Sequence, residues 1–293
     1  MKAFTNKQLL ALHYVYPLRL NRFNQLLNEV TSLKDLEYLP ANKLQEILRI
    51  SLDKSHKILT NYRRMLNYNL QDAYTHEGIH VIPFTESLYP KQLFDLIDPP
   101  VVLYAKGDIS LLQSNKVAII GSRKATDYSA RALQSIVPPL VEKGIVIVSG
   151  LARGADTMAH KAAIRYGGKT IGVLGHGFFH LYPKENKSLA EEMAKHHLLI
   201  TEFPPYIGPE RWNFPLRNRI ISGISRAIVV TEAALKSGTL ITTDHALEHG
   251  KDVFVVPGPI DSKESLGTNS LLREGAIPIW NGEQILNELK LLF

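Results

Sequence analysis

The chain has 293 residues, of which 45% are hydrophobic and 21% are charged, and it contains no cysteine. This length allows one large domain or two smaller domains with buried cores. Without cysteine, disulfides, thiolate zinc sites and a cysteine nucleophile are excluded, which is consistent with a reducing compartment. The 34 basic residues outnumber the 28 acidic ones by 6, too small an excess to identify a polyanionic partner.

The segment MKAFTNKQLLALHYVYPLRL mixes Asn, Lys, Gln and Arg with its apolar residues. It therefore lacks the continuous apolar core of a signal peptide, and no stretch reaches the roughly 18 apolar residues of a membrane span. We expect a cytoplasmic protein with no membrane contact.

Residues 1–75 are predicted to form short helices, because apolar residues recur at helical spacing in segments that begin at Leu9, Phe23 and Leu44. Such a module can be a SAM-like or helix-hairpin-helix-like unit that contacts nucleic acid, or a packing or oligomerisation module. The absence of a Gly-rich hairpin of the GxG type favours the packing module. In the connecting segment that follows, Pro83, Pro90, Pro99 and Pro100 favour extended chain against a surface.

From about residue 115, short β-branched runs alternate with segments of helical periodicity. The runs are almost continuously apolar, as expected for strands covered on both faces. This alternation predicts an α/β fold with a doubly wound, mostly parallel sheet. The predicted strands are residues 116–120, 144–150, 169–175, 198–203, 226–233, 252–258 and 276–280. The predicted helices are residues 128–143, 155–166, 186–196, 240–249 and 268–273.

Candidate anion contacts follow the predicted strands, since ligands of such sheets bind at the carboxyl ends of the strands. After the first strand, Gly121 permits a tight turn, Ser122 can cap a helix or bind phosphate, and Arg123 offers a fork of donors. The turn by itself is a weak phosphate signal. It is not the G-x-G-x-x-G dinucleotide fingerprint, which disfavours a dehydrogenase.

The strongest phosphate signal is Ser237-Gly238-Thr239, which is predicted to open an amphipathic helix. Backbone N–H groups, a hydroxyl and the positive end of the helix dipole would converge there on one anion.

Other basic residues lie in segments between strands. Arg217 and Arg219 flank Asn218, and the two arginines can line an anion groove or make structural ion pairs. Lys184, in HLYPKEN, is a candidate phosphate contact.

Several further residues have a structural and a functional interpretation. Asp156 is expected to cap a helix. Phe178 and Phe179 can stack on bases, although two adjacent aromatic residues in a turn more often belong to a core. His196 and His197 are expected to be solvated at a helix end.

The sequence shows no recognisable catalytic arrangement. It contains no Walker A loop and no G-x-S-x-G elbow. Its histidines lack metal-ligand or triad spacing, and no pair among Asp156, Glu202 and Glu232 assigns an acid and a base. We therefore predict anion binding with no catalytic residue, metal or cofactor.

The motifs GSRKAT, SGLARGADTMAH, YPKEN, TEFPP, FPLRNRIISGIS, TEAALKSGTLITT, VPG and GTNSLLREGA occur in this order. They resemble the DNA-processing protein A (DprA/Smf) family, and the resemblance covers roughly residues 76–280. It implies a Rossmann-like sheet domain over residues 76–293, preceded by a SAM-like helical domain over residues 1–75.

The resemblance also implies a function without catalysis. Such proteins bind and protect incoming single-stranded DNA in natural transformation and, as dimers, load the RecA recombinase onto it. The family's DNA contacts would fall on the motifs described above, and dimerisation would involve the region of Leu271 and Leu272. The implied DNA-binding residues are Gly121, Ser122, Arg123, Lys184, Arg217, Asn218, Arg219, Ser237, Gly238 and Thr239.

Two segments depart from the family pattern. The chain has GHGFFHLYP where the family often has Gly-x-Gly-Leu-Asp before Tyr-Pro, and IWNGEQILNELKLLF is too short for the C-terminal winged helix that many members carry. We therefore expect no winged helix.

An alternative is an enzyme similar to phosphoribohydrolases that bind nucleoside monophosphates. Their Pro-Gly-Gly-x-Gly-Thr loop is followed by a glutamate. Here the corresponding loop is KSGTLITTDH, in which Asp244 follows Thr239 by five residues and no glutamate is adjacent.

Overall fold

The computed structural model describes residues 4–235 and 237–290, which form a nine-stranded sheet with helices on both faces. The strands are β1 (His80–Pro83), β2 (Val102–Gly107), β3 (Lys116–Ile120), β4 (Val146–Ser149), β5 (Thr170–Val173), β6 (Leu198–Thr201), β7 (Ala227–Val230), β8 (Asp252–Val255) and β9 (Ile277–Pro278). The helices are α1 (Asn6–Val15), α2 (Leu20–Glu29), α3 (Ala41–Leu48), α4 (Leu52–Met65), α5 (Leu70–His76), α6 (Asp127–Glu142), α7 (Ala155–Arg165), α8 (Lys187–His196), α9 (Asn213–Ile224), α10 (Gly238–Glu248), α11 (Leu266–Arg273) and α12 (Gly282–Glu288).

The strands lie in the order β1-β2-β6-β5-β4-β3-β7-β8-β9. From β3 the chain winds outward in one direction through β4, β5 and β6. It then crosses back through α9 and places β7 on the other side of β3, with Ala118 beside Ile228. The sheet therefore reverses its winding between β3 and β7, and such a switch point leaves a crevice beyond the carboxyl ends of the two strands.

Both faces of the sheet are covered, which explains the continuous apolar strands. One face packs under α9, α10 and α11 through residues such as Ile220 and Leu271. The other face packs under α6, α7 and α12 through residues such as Ile136, Ala159 and Ile285. The prediction of a doubly wound, mostly parallel Rossmann-like sheet is confirmed.

The five amino-terminal helices share a separate core that extends onto the outermost strands of the sheet. Tyr104 of β2 is fully buried in this core. Its hydroxyl lies 3.0 Å from Nδ1 of His13, and burial lowers the pKa of His13 to about 3. The helical region is thus attached to the sheet through β1 and β2.

The connecting segment forms two strands of the sheet. β1 and β2 form an antiparallel pair, and β2 continues antiparallel to β6, so that Ala105 lies beside Ile200. The prolines do not interrupt the pairing, because Pro83 ends β1 and Pro99 and Pro100 precede β2. In residues 4–235 and 237–290, no helix combines the length and the hydropathy needed to cross a bilayer.

Candidate nucleic-acid interface

A groove lies at the switch point, beyond the carboxyl ends of β3, β4 and β7. It consists of two adjoining cavities of about 220 Å³ and about 430 Å³. We call this surface the switch-point groove. Both of its cavities are lined by Arg123, Lys124, Ala152, Phe214 and Arg217.

The turn after β3 forms one wall of the switch-point groove. At Gly121 the backbone passes close to Thr231 and Glu232, and the N–H of Ser122 donates to the Glu232 carbonyl at 2.7 Å. The buried Ser122 hydroxyl accepts from the N–H of Lys124 at 2.9 Å. These bonds hold the turn, and the side chains of Arg123 and Lys124 extend from it into solvent.

The buried carboxylate of Glu232 fixes the segment that follows this turn. It accepts from the N–H and hydroxyl of Thr126 at 2.7 and 2.8 Å, and from the Ser129 hydroxyl at 2.7 Å. Because three donors satisfy it, Glu232 connects the end of β7 to the start of α6. These contacts give Glu232 a structural function.

The turn after β4 forms the floor of the groove. The expectation that Asp156 caps a helix is wrong. Asp156 does not cap α7, because the N-cap residue is Gly154, whose φ of 72° is the left-handed conformation that favours glycine. The Asp156 carboxylate instead accepts from the N–H groups of Gly150 and Ala152 at 3.1 and 3.3 Å. Burial raises the pKa of Asp156, while the positive charge of Arg217 and these hydrogen bonds oppose the rise.

Arg217 lies beneath the groove, where hydrogen bonds hold its guanidinium and no ion pair forms within the described residues. Its side chain lines both cavities, yet the residue is only 4% exposed. Nη1 donates to the carbonyls of Gly150 and Val173, and Nε donates to Oδ1 of Asn218 at 3.0 Å. Burial lowers the pKa of Arg217 to about 10, so the guanidinium remains a cation at neutral pH.

Arg219 is not among the residues that line the groove, although the family resemblance implies a DNA contact there. Its guanidinium forms a buried ion pair with Glu202. A structural ion pair was one of the two functions that the sequence allowed for these arginines. Two residues apart on α9, Arg217 and Arg219 point in different directions. Asn218, between them, lines the larger cavity.

The amino terminus of α10 closes the far side of the groove. Ser237 is the N-cap residue and α10 begins at Gly238, as the sequence predicted. Ser237, Gly238 and Thr239 all line the larger cavity. The Ser237 hydroxyl is buried without a hydrogen-bond partner among the described residues. The first N–H groups of a helix have no partner within the helix, so an anion site at this end stays a prediction.

Lys184 is exposed and lies just outside the groove lining. Tyr182 and Pro183, which precede it, line the smaller cavity. Asn186, which follows in the same turn, is buried and donates to the carbonyl of Leu151 at 2.9 Å. The YPKEN motif therefore holds its own loop against the turn after β4 and places the Lys184 side chain in solvent at the groove edge.

Four aromatic and histidine side chains discussed above divide between core and surface. Phe178 packs against the cores and Phe179 is 56% exposed. His196 is exposed, but His197 is buried, which contradicts the expectation that both are solvated. His197 ends α8 against Gly107 of β2, where its carbonyl accepts from the N–H of Asp108 at 2.8 Å.

The two leucines expected near a dimer contact lie on α11. Leu271 is buried in the core under the sheet, and Leu272 is partly buried against the same core. Nothing in these positions tests whether the protein dimerises through this region, so the dimer contact stays a prediction.

Sequence reasoning missed several residues of the groove lining. Lys124 directly follows the G-S-R turn, and its positive charge at that position could have marked it as a phosphate contact. Phe214, Tyr182 and His176 come from separate loops and helices, and no local pattern connects them. Burial lowers the pKa of His176. Its ring nitrogens contact the carbonyls of Gly177 and Tyr182, and these contacts stabilise the loop.

The DNA recombination-mediator protein A family matches residues 80–290. This chain belongs to that family. It is 47% identical to DNA processing protein DprA from Bacillus subtilis over 218 residues, covering 74% of this chain and 73% of the relative. It is 42% identical to Protein Smf from Escherichia coli over 212 residues, covering 72% of this chain and 57% of that relative.

Two solved structures of DprA proteins share the fold. The X-ray structure of DprA from Streptococcus pneumoniae superposes with a TM-score of 0.80 at 35% identity, covering 98% of this chain and 99% of that one. DprA from Helicobacter pylori, described for its unique single-stranded DNA binding mode, gives a TM-score of 0.65 at 34% identity, covering 72% and 95%. The likeness to the first structure includes the helical region as well as the sheet.

Proposed function

We propose that this DprA-family chain binds single-stranded DNA in the switch-point groove. The observation that carries the proposal is the convergence of exposed Arg123 and Lys124 with the amino terminus of α10 on one groove. Donors of these kinds bind phosphate oxygens. The single-strand binding described for the Helicobacter pylori relative supports the same ligand.

The groove supplies both kinds of contact that single strands use. Arg123 and Lys124 can neutralise phosphates, and Lys184 lies at the groove edge for a further phosphate. The exposed ring of Tyr182 lines the smaller cavity, where a base can stack on it. Because charge neutralisation contributes much of the affinity, binding should weaken as salt concentration rises.

The finer parts of the function extend this proposal. We infer that the protein is a recombination mediator without catalytic activity, which protects single strands and loads the RecA recombinase onto them. In this account it acts as a homodimer in the cytoplasm. Residues 1–75 form a regulatory or assembly unit, and residues 76–293 form the DNA-binding unit. The resemblance of the sequence motifs to the DprA/Smf family supports these assignments.

The proposal is tested by titrating the wild-type protein into labelled single- and double-stranded oligonucleotides of equal length at matched salt. We expect single strands to be retarded at lower protein concentration than duplexes. Equal retardation of both, or retardation of neither, would contradict the proposed ligand. Incubation of the protein with AMP should release no free base, whereas release would favour the phosphoribohydrolase-like alternative.

A second experiment addresses the partner and the oligomer. The rate at which RecA assembles on a single strand should rise when the protein is added, and sizing chromatography should give the mass of a dimer. An unchanged RecA assembly rate, with single-strand binding intact, would contradict RecA loading and leave the DNA site standing.

A further inference from the structure

A second basic cavity lies at the opposite edge of the sheet from the switch-point groove. It has a volume of about 290 Å³ and lies where β3, β7 and β8 begin. Lys116 is the first residue of β3, while Arg226 and Lys251 directly precede β7 and β8. We call it the back-edge cavity. It shares no lining residue with the groove, so its function does not depend on the proposed DNA site.

The back-edge cavity carries three cationic side chains and no carboxylate in its lining. Within residues 4–235 and 237–290, the side chains of Arg226 and Lys251 form no hydrogen bond or ion pair. Asp252, next to Lys251, is not part of the lining. Cations near helix ends often bind the last carbonyls of the helix. The side chains of Arg226 and Lys251 do not bind such carbonyls, although α9 and α10 end beside them. Helix-end carbonyls therefore do not explain why these basic residues lie together.

Lys116 gives the cavity a fixed and buried cation. The residue is 2% exposed, and Nζ donates to the carbonyls of Leu112 at 2.8 Å and Ser114 at 2.5 Å. An ammonium group has three donors, and the third has no acceptor in the described part of the chain. A buried charge is costly unless it is paired. The desolvation also lowers the pKa of Lys116 to about 8.

Neutral donors complete the lining. The side-chain amides of Gln92 and Asn115 are exposed, make no side-chain hydrogen bond within the described residues, and face the same cavity. A ligand surrounded by an ammonium, a guanidinium, a second ammonium and two amides must be rich in acceptors and negatively charged. A phosphate group has this chemistry and suits the planar donors of arginine.

We propose that the back-edge cavity binds a phosphate group of a small phosphorylated ligand. The phosphate would accept from the free N–H of Lys116 and from the side chains of Arg226 and Lys251. Its charge would compensate three cations that have no carboxylate partner in the cavity.

The test is calorimetric titration with inorganic phosphate at constant ionic strength. The double variant Arg226→Ala/Lys251→Ala removes two solvent-accessible charges, and Arg165→Ala/Lys195→Ala makes the same charge change elsewhere on the surface. Each pair is also made in an Arg123→Ala background, which removes a cation of the groove. We expect the back-edge pair to weaken phosphate binding about tenfold or more in both backgrounds, and the control pair to leave it within about twofold.

Three results of the phosphate titration would overturn the proposal. These are no phosphate binding by the wild-type protein, undiminished binding by the back-edge variant, and an equal loss in the control variant. A single-stranded oligonucleotide provides a second arm that identifies the source of the phosphate. Unchanged oligonucleotide affinity in the back-edge variant assigns the cavity to a small ligand, as proposed, whereas a loss matching that for phosphate assigns it to the DNA backbone and contradicts the small ligand.

Discussion

The guanidinium of Arg123 lies over the ring of Phe214, with Cζ 5.6 Å from the ring centroid. The same ring packs against Tyr182, with centroids 5.5 Å apart. Arg123 is exposed and comes from the turn after β3, whereas Phe214 comes from the first turn of α9. Arginine side chains are long and flexible, and the stacking therefore holds that of Arg123 at the point where the two cavities of the groove meet.

Replacing Phe214 tests whether this stacking matters for binding. In Phe214→Leu, Arg123 keeps its charge but loses the ring face, which is worth about 0.5–1 kcal/mol at an exposed site. We expect single-strand affinity to fall two- to fivefold, with little change in the salt dependence. Fluorescence anisotropy with a labelled oligonucleotide measures both quantities. A fall in salt dependence as large as that of Arg123→Ala would show that the ring does more than orient the arginine.

Gly121 should not tolerate a side chain. A Cβ at this position would lie 2.7 Å from Cβ of Ala155, 2.7 Å from Oγ1 of Thr231 and 3.0 Å from the Glu232 carbonyl oxygen. We expect Gly121→Ala to lower the free energy of unfolding by about 1–3 kcal/mol, because the β3 turn must shift. Urea denaturation followed by circular dichroism measures the change.

The control for this variant is Gly238→Ala. Among the described residues, no atom outside the adjacent backbone lies within 4 Å of a Cβ built at Gly238, and its φ is not positive. Its stability should therefore stay within about 0.5 kcal/mol of the wild type. An equally stable Gly121→Ala protein would show that the turn has room that the structure does not indicate.

The Arg219–Glu202 pair should affect stability and not DNA binding. Both residues are buried, and burial already raises the pKa of Glu202 while Arg219 opposes the rise. Arg219→Met leaves a carboxylate without its partner, which costs about 3–5 kcal/mol for a buried pair. We expect a large loss in urea denaturation, and the additional change Glu202→Gln should restore part of it.

The folded fraction of Arg219→Met should bind single strands as the wild type does. A selective loss of DNA affinity without a loss of stability would return Arg219 to the groove, where the family resemblance had placed it.

Buried histidines should make the protein sensitive to acid. Burial lowers the pKa of both His13 and His160 to about 3, from an unfolded value near 6.5. Below pH 6.5 the unfolded chain binds protons that the folded chain does not, so stability falls as pH falls toward 3. The slope that each histidine contributes rises toward about 1.4 kcal/mol per pH unit about one unit below the unfolded pKa.

The measurement is urea denaturation at about pH 7.5, 6 and 5, values chosen to lie on both sides of the unfolded pKa. The variant His13→Gln removes one of the two titrating groups and should reduce the slope of stability against pH, by about 2 kcal/mol in total between pH 7.5 and pH 5. An unchanged slope would indicate that His13 is protonated in the folded protein.

The sheet was predictable because its parallel strands are buried on both faces, and all seven predicted runs contain strands of the structure. The helix α9 was not predicted as a helix, since Pro215 and the buried Asn213, Arg217 and Arg219 leave it without an apolar stripe. The segment of β1 and β2 was predicted only as extended chain against a surface, and its antiparallel pairing was not predicted, because prolines border both strands.

The groove was predictable only in part, for a physical reason. Turns such as Gly121-Ser122-Arg123 and the start of α10 are local, so spacing and residue type reveal them. The partners of Arg217 and Arg219 come from distant strands, and sequence alone does not show which of two nearby arginines pairs with a buried carboxylate. Asp156 illustrates the same limit, since its donors are fixed by the conformation of the turn.

The most direct test of the account compares Arg123→Ala with Arg165→Ala. Arg165 is also exposed and lies over an aromatic ring, that of Tyr166 at 5.9 Å, but it ends α7 at the opposite edge of the sheet. Anisotropy titrations of a labelled single strand at several salt concentrations give the affinity and its salt slope. We predict that Arg123→Ala weakens binding about tenfold and reduces the slope by about 0.7, while Arg165→Ala changes neither. Equal effects of the two variants, or no effect of Arg123→Ala, would contradict the assignment of single-stranded DNA to the switch-point groove.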